Sequence, residues 1–155
     1  MSNSLDNKNI IKFYRASGKY GFLSNLYKHP IIMNGIEYKT SEHAYQSFKF
    51  KDPEVRNWAI QCPKPHIIAC LAHNLLVWDI VENWTRIKVD RMYEVLKIKF
   101  YDPELKQKLI DTRDSILFEN SKSDSFWGGG KKGTGKNMLG KLLMKVRREL
   151  KEGKN

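Results

Sequence analysis

The spacing of apolar residues along the chain changes near residue 40. Before that point, short apolar runs alternate with turn residues, and Asn34-Gly35 separates the runs IIM and IEY. An Asn-Gly pair between apolar runs is the strongest short signal of a β-hairpin. The pattern therefore predicts that residues 11–38 form short strands and turns and supply most of the β structure.

After residue 40 the apolar spacing becomes helical. Thr40 or Ser41 can cap a helix over residues 42–50. Asp52 and Asp102 each stand before a proline, which is the order of an N-cap followed by proline in the first turn. Both aspartates therefore predict the starts of helices.

Two longer segments extend the helical pattern. Residues 81–100 place apolar side chains at helical spacing against a basic outer face, and residues 138–150 have a leucine-rich face. Pro65 starts another predicted helix, and SILFEN, residues 115–120, predicts a short extended piece. The basic outer face of the first segment is formed by Arg86, Lys88, Arg91, Lys97 and Lys99.

The predicted fold is mainly α, of the α+β type. It is a single compact helical domain over residues 11–152 with a short N-terminal β-hairpin, after a flexible N-terminus at 1–10. A chain of 155 residues with 41% hydrophobic content is typical of one globular domain. No repeat, linker or charge block marks a second domain.

The composition is strongly basic, with 28 Lys and Arg against 17 Asp and Glu and a net charge of +11. Such a charge attracts nucleotides or nucleic acid, although a solubilising surface gives the same composition. No apolar run has membrane-spanning length, and no signal peptide is recognisable, so no membrane partner is expected. With Cys62 and Cys70 expected as reduced thiols, the predicted location is the cytoplasm.

The stretch FWGGGKKGTGKN, residues 126–137, contains G-x-x-x-x-G-K, the beginning of a P-loop. A P-loop continues with a Ser or Thr that binds magnesium, whereas this chain has Asn137, and no buried strand is predicted before the glycines. Walker-type chemistry is therefore not expected. Two interpretations stay open: a phosphate site built from glycine N–H groups, lysines and the last helix, or a solvated turn.

Several polar residues outside the loop are candidates for chemistry. Glu42, Tyr45, Gln46 and Lys49 share one face of the predicted helix over 42–50, and this face either lines a site or is exposed. Trp127 can stack on a base or belong to the core. The metal-binding residue types Cys62, His66, Cys70 and His73 lie on one short segment that cannot surround a tetrahedral ion, so no metal is predicted.

Together these segments resemble the NADAR family of YbiA-like N-glycosidases. The resemblance runs from about Phe13 to Leu150 through SGKYGFLSNL, NGIEYKTSEHAYQSFKF, FWGGG and GKNMLGKLLMKVRREL. It implies a mainly helical fold that hydrolyses the N-glycosidic bond between a ribose and a base-like amine, without a metal or other cofactor. The motif residues are Ser24, Asn25, Ser41, Glu42, His43, Gln46, Lys49, Trp127, Gly128, Asn137 and Gly140.

The resemblance implies two classes of substrate. One is ADP-ribose attached to guanine bases of nucleic acid, whose removal would oppose a cognate ADP-ribosyltransferase toxin. The other is the phosphorylated ribosylamine intermediates of riboflavin synthesis. The extended positive charge favours ADP-ribosylated nucleic acid. A third hypothesis is a non-enzymatic nucleic-acid binder that uses the basic residues of 86–99 and 141–148. A groove that binds an anionic backbone has no use for a carboxylate such as that of Glu42.

The family motifs assign Glu42 as the catalytic carboxylate and Lys49 as its partner. A carboxylate stabilises the positive charge that develops on the ribose, while Schiff-base formation by Lys49 is the alternative. Asp124 is the candidate acid for the leaving base. The substrate-binding residues expected from the motifs, the helical stripe and the loop are Ser24, Asn25, Tyr45, Gln46, Trp127, Gly128, Lys136, Asn137 and Gly140.

Overall fold

Helices form most of the regular structure in the computed structural model, which describes residues 9–74 and 76–154. The helices are α1 (Ser41–Ser47), α2 (Pro53–Ile60), α3 (Pro65–Asn74), α4 (Trp84–Lys99), α5 (Pro103–Ile110) and α6 (Met138–Lys151). The strands are β1 (Ile10–Phe13), β2 (Ile31–Met33), β3 (Ile36–Tyr38) and β4 (Ile116–Glu119). The predicted mainly helical α+β class is confirmed. Of the segment 1–10 predicted to be flexible, residues 1–8 lie outside the described residues.

The predicted caps and the hairpin are present. The side chains of Asp52 and Asp102 accept hydrogen bonds from backbone N–H groups in the first turns of α2 and α5, and Thr40 caps α1. Asn34 and Gly35, both at positive φ, form the turn that joins β2 to β3. Short-range signals therefore located these elements correctly.

The pairing of β1 with β4 joins distant parts of the chain. The two strands are parallel, with Ile10 opposite Ile116 and Phe13 opposite Glu119. The sequence predicts both segments as extended but contains no local signal that pairs them, because a parallel pair needs a long connection. The pairing brings the carboxyl ends of both strands to the same edge, beside the cavity described below.

Helix α1 is shorter than predicted and does not include Lys49. It ends at Ser47, and the Lys49 N–H donates to the Gln46 carbonyl in a tight final turn. The chain then becomes extended, because Phe50 pairs with Ile80 in an isolated antiparallel bridge. The helical spacing that placed Lys49 on the Glu42 face was therefore wrong, although both side chains reach the same cavity.

The main core lies where α1, α4 and α6 meet β4 and the hairpin. A smaller apolar cluster joins α2 to α3. In the described part of the chain, no helix combines the length and the apolarity needed to cross a bilayer. The fully buried large apolar residues include Leu23, Phe50, Ile68, Leu96, Phe100, Leu109, Leu117, Leu139 and Leu143.

Lys99 does not belong to the basic outer face of α4 where the sequence pattern placed it. Its side chain is only 1% exposed, and its ammonium nitrogen donates to the Ser24 carbonyl at 2.8 Å. Burial lowers the pKa of Lys99 to about 7, because moving a charged amine out of water is unfavourable. Lys99 thus holds the Ser24 segment from inside the core.

Replacing Lys99 by Met is expected to change how stability depends on pH. Between the folded pKa of about 7 and the ordinary value of 10.5, the unfolded chain binds a proton that the folded protein lacks, so wild-type stability rises with pH. Lys99→Met has no such proton, so its free energy of unfolding relative to wild type should fall by about 1.4 kcal/mol per pH unit in this window. Urea denaturation from pH 7 to about 10 measures this, with the exposed Lys97→Met as the control. Parallel curves for wild type and Lys99→Met would contradict it.

Candidate active site

A cavity of about 360 Å³ opens between α1, α3, α4, the end of β4 and the loop that precedes α6. It brings together side chains from Tyr14 to Leu139, which lie 125 residues apart in the chain. The expected site residues that line it are Ser24, Asn25, Glu42, Tyr45, Gln46, Lys49, Asp124 and Trp127.

Asn25 is a brace between α1 and α4. Its amide oxygen accepts from the Ser41 hydroxyl at 2.9 Å, and its amide nitrogen donates to the Met92 sulfur at 3.2 Å. Its backbone carbonyl accepts the Glu42 N–H at 3.1 Å. These bonds fix the first turn of α1, and with it the position of the Glu42 side chain.

Glu42 and Lys49 both line the cavity, and the charge of each acts on the pKa of the other. Burial raises the pKa of Glu42, and a hydrogen bond from Gln46 and the charge of Lys49 oppose that rise. The Gln46 amide nitrogen donates to a Glu42 carboxylate oxygen at 2.8 Å. Burial lowers the pKa of Lys49, the charge of Glu42 opposes this, and Lys88 lowers it further. Lys49 donates to the Ala72 carbonyl at 3.1 Å, so its amine is held by α3 as well.

Glu119 is a carboxylate of the cavity that the sequence analysis missed. It is the last residue of β4, and its Oε2 atom is buried without a hydrogen-bond partner among the described residues. Burial raises the pKa of Glu119 to about 7, with further contributions from Asp124 and Glu42. The available signal was an acid at the end of the apolar run ILF. The other lining residues not anticipated include Tyr14, His73, Trp84, Lys88 and Met92.

Asp124 shapes the loop that carries Trp127. One carboxylate oxygen of Asp124 accepts the backbone N–H groups of Phe126 at 2.9 Å and of Trp127 at 2.8 Å. The Trp127 ring meets Tyr45 edge to face, with ring centroids 5.5 Å apart. The ring centroids of Tyr45 and Trp84 lie 5.3 Å apart. Three aromatic rings therefore form one wall of the cavity.

The glycine-rich loop folds onto itself and does not form a phosphate cradle. The N–H groups of Gly129, Gly130 and Gly135 all donate to backbone carbonyls of the chain. The N–H groups of Met138 and Leu139 at the start of α6 also donate to loop carbonyls. An anion would have to displace these bonds, so the structure favours the interpretation of this loop as a solvated turn.

Four residues expected to bind substrate lie outside the cavity lining, namely Gly128, Lys136, Asn137 and Gly140. The Asn137 side chain bonds the outer edge of β4, accepting from the Glu119 N–H and donating to the Leu117 carbonyl, each at 2.9 Å. A Cβ on Gly140 would lie 2.1 Å from the Leu117 carbonyl oxygen, so only glycine lets α6 approach β4. A Cβ on Gly128 would lie 2.9 Å from the Glu119 carbonyl oxygen, whereas Lys136 lies over the Phe126 ring. Gly128, Asn137 and Gly140 thus act on the site indirectly, through their contacts with β4.

The residue types that could bind a metal do not converge. Within residues 9–74 and 76–154, no three His, Cys, Asp or Glu side chains are placed to hold an ion. His73 lines the cavity, whereas Cys62 is buried before α3 begins and Cys70 is exposed. The groups that the cavity offers for chemistry are its carboxylates, lysines and aromatic rings.

Comparison with known proteins identifies the family. The NADAR domain family matches residues 12–151. N-glycosidase YbiA of Shigella flexneri is 37% identical over 142 residues, which cover 91% of this chain and 88% of that protein. Riboflavin biosynthesis protein VVA0006 of Vibrio vulnificus is 35% identical over 143 residues, which cover 92% of this chain and 39% of that protein.

The fold comparison agrees with the sequence comparison. The NMR structure of the E. coli protein YbiA matches with a TM-score of 0.86 and 35% identity, covering 94% of this chain and 87% of that one. Fold and relatives together support the class of an N-glycosidase. The chain belongs to the NADAR domain family, as the motifs indicated.

Replacing Asn137 by Gly tests whether this residue supports the fold. Glycine tolerates the φ of 49° at this position, so the variant loses the two side-chain bonds to β4 without backbone strain. We expect the free energy of unfolding to fall by about 2–4 kcal/mol, measured by urea denaturation, with Lys136→Ala as a near-neutral control. Unchanged stability together with lost ligand binding would restore Asn137 as a substrate-binding residue.

Proposed function

We propose that this protein hydrolyses the N-glycosidic bond that joins ADP-ribose to guanine bases of nucleic acid. The observation that carries the proposal is a cavity in which two carboxylates, Glu42 and Glu119, have different surroundings and face one aromatic wall. Two acids with distinct environments are what hydrolysis of a glycosidic bond requires. A cognate ADP-ribosyltransferase toxin would be the source of such a modification.

The surroundings of each acid suggest its role. Burial raises the pKa of Glu42, and the hydrogen bond from Gln46 and the charge of Lys49 act against that rise. Because it has these two partners for its charged form, Glu42 is the group that we assign to stabilise positive charge on the ribose and to accept a proton from water. Glu119, with a pKa of about 7, has no cation that favours its charged form. It is therefore the group that donates a proton to the departing base nitrogen as the carbon–nitrogen bond breaks.

Asp124 is less suited than Glu119 to be the acid. The carboxylate of Asp124 already accepts two backbone N–H groups, and protonating it would weaken the turn that positions Trp127. By contrast, the free Oε2 of Glu119 is buried at the cavity. We therefore propose Glu119 as the acid and Asp124 as a positioning residue.

Neutral parts of the substrate have matching groups. Gln46 is 2% exposed and its Oε1 atom has no partner among the described residues. Since buried polar atoms are almost always paired, this oxygen is suited to accept a hydrogen bond from a ribose hydroxyl. Trp127 and Tyr45 offer ring surface to a base.

A second chemical route uses Lys49 as the nucleophile. The observation in its favour is the lowered pKa of Lys49, because only a neutral amine can attack C1 of the ring-opened ribose. The new carbon–nitrogen bond becomes a Schiff base as the bond from C1 to the base amine breaks and that amine leaves. The carboxylate route is preferred because Glu42 favours the charged form of that amine.

The substrate has a second candidate. The relative VVA0006 is named as a riboflavin biosynthesis protein, which favours phosphorylated ribosylamines as substrates. The net charge of +11 favours the larger polyanion. A purely binding role is opposed by the carboxylates, since they would repel phosphate from the cavity that they line.

Glu119→Gln is expected to remove the decline of kcat/KM at alkaline pH. A general acid works only when protonated, so wild-type kcat/KM should fall about tenfold per pH unit above the pKa of about 7. Glu119→Gln should be roughly 10²- to 10⁴-fold slower and should lack this decline. The matched variant Asp124→Asn should keep the decline and weaken substrate binding. The reverse pattern would make Asp124 the acid.

A comparison of substrates tests the function itself. We expect release of ADP-ribose from an oligonucleotide that carries ADP-ribosyl guanine, followed by liquid chromatography, with a higher kcat/KM than hydrolysis of a phosphorylated ribosylamine precursor. Glu42→Gln should bind the oligonucleotide normally and lose most turnover. Preference for the ribosylamine would favour the second substrate, and binding without turnover of either would favour the non-enzymatic hypothesis. A borohydride-trapped adduct on Lys49 would replace the carboxylate route by the Schiff-base route.

A further inference from the structure

A second groove adjoins the cavity at the carboxyl edge of the β1–β4 pair. It measures about 390 Å³, and the residues that matter for its chemistry are Lys12, Tyr14, Arg15, Lys19, Tyr20 and Asn120. Tyr14 lines both the groove and the cavity. Glu119 at the end of β4 faces the cavity, while the next residue, Asn120, lines the groove. The two spaces therefore meet at one edge of the sheet.

The groove is basic. Its lining contains Lys12, Arg15 and Lys19 and no acidic residue. Among residues 9–74 and 76–154, none of these three cations takes part in an ion pair. All three are exposed, so they can meet an anion without breaking an ion pair.

The cavity itself is a poor place for phosphate groups. Three carboxylates, Glu42, Glu119 and Asp124, line it against two lysines, Lys49 and Lys88. Even with Glu119 protonated, the carboxylates of Glu42 and Asp124 offset the two lysines, so the cavity has no excess positive charge to attract phosphate. The charged backbone of a long substrate must therefore leave the cavity at its rim, and the groove beyond Tyr14 offers opposite charge there.

Aromatic side chains stand between the cations. The Tyr14 side chain is 48% exposed, and the Lys19 ammonium lies 5.3 Å from the centre of the Tyr20 ring. Cations that contact phosphates, interleaved with rings on which bases stack, are typical of surfaces that bind single strands. A base that enters an enzyme cavity must also be out of the double helix, which favours a single-stranded substrate.

We propose that the groove binds the phosphodiester backbone of a single-stranded nucleic acid beside the modified base that occupies the cavity. Lys12, Arg15 and Lys19 contact successive phosphates, and Tyr14 stacks on a base at the mouth of the cavity. This inference rests on the proposed function for the identity of the modified base. The groove itself is testable with an unmodified strand.

The test measures binding of an unmodified single-stranded oligonucleotide by fluorescence anisotropy across a salt series. The variant replaces Lys12, Arg15 and Lys19 by Gln. Each phosphate contact contributes about 0.7 to the slope of log affinity against log salt, so we expect the slope to fall by about 2 and affinity at low salt to fall at least tenfold. The single variant Arg15→Gln should lower the slope by about 0.7.

The matched control replaces Lys141, Lys145 and Arg148 by Gln. These are two lysines and one arginine that are exposed on α6. It removes the same charge and should leave affinity and slope close to wild type. An equal loss in both triple variants, or no loss in the groove variant, would overturn the proposal.

Activity on two substrates separates the groove from the chemistry. The groove variant should lose kcat/KM on the ADP-ribosylated oligonucleotide but stay within about twofold of wild type on the ADP-ribosylated nucleoside. An equal loss on both would show that the groove serves the ADP-ribose phosphates and would overturn the strand assignment. Wild type that binds the strand through the groove but cleaves neither substrate would refute the proposed function and leave the groove standing.

Discussion

The pairing of β4 with β1, and the Asn137 amide that bonds the opposite edge of β4, determine where the cavity is. Strand β1 occupies one edge of β4, and Asn137 satisfies the Glu119 N–H and the Leu117 carbonyl on the other. A buried strand edge without such partners would be costly. With both edges bonded, β4 ends at a defined point, and its last residue presents a carboxylate to the cavity shared with α1.

Burial is the source of the reactivity proposed for this site. Glu42, Lys49 and Glu119 all have pKa values moved toward their neutral forms, because the cavity offers little water to stabilise charge. The two carboxylates differ in their neighbours. Gln46 and Lys49 favour the charged form of Glu42, whereas the groups that act on the pKa of Glu119 are other acids. A difference of this kind is how one site can give the roles of acid and base to two carboxylates.

The glycine-rich loop shows how a phosphate motif can be misleading. Its glycines are needed because neighbouring backbone comes too close for a side chain, as where a Cβ on Gly135 would lie 2.5 Å from the Gly128 carbonyl oxygen. Most N–H groups between Gly129 and Leu139 donate to backbone carbonyls in this packing. The loop contributes to the site through Trp127, which it holds against Tyr45, and the anion-binding charge lies elsewhere on the surface.

The sequence by itself determined the features that depend on neighbouring residues. Helix caps at Thr40, Asp52 and Asp102 and the Asn34-Gly35 hairpin follow from local backbone preferences. The motifs identified the family and part of the cavity lining, including Glu42, Lys49 and Trp127. The tertiary structure decided what depends on distant contacts. Bridge formation by Phe50 ends α1 before Lys49, and the core encloses Lys99. The pairing of β4 makes Glu119 a site residue. Pattern spacing carries no information about which segments meet, so only the folded chain could show these three results.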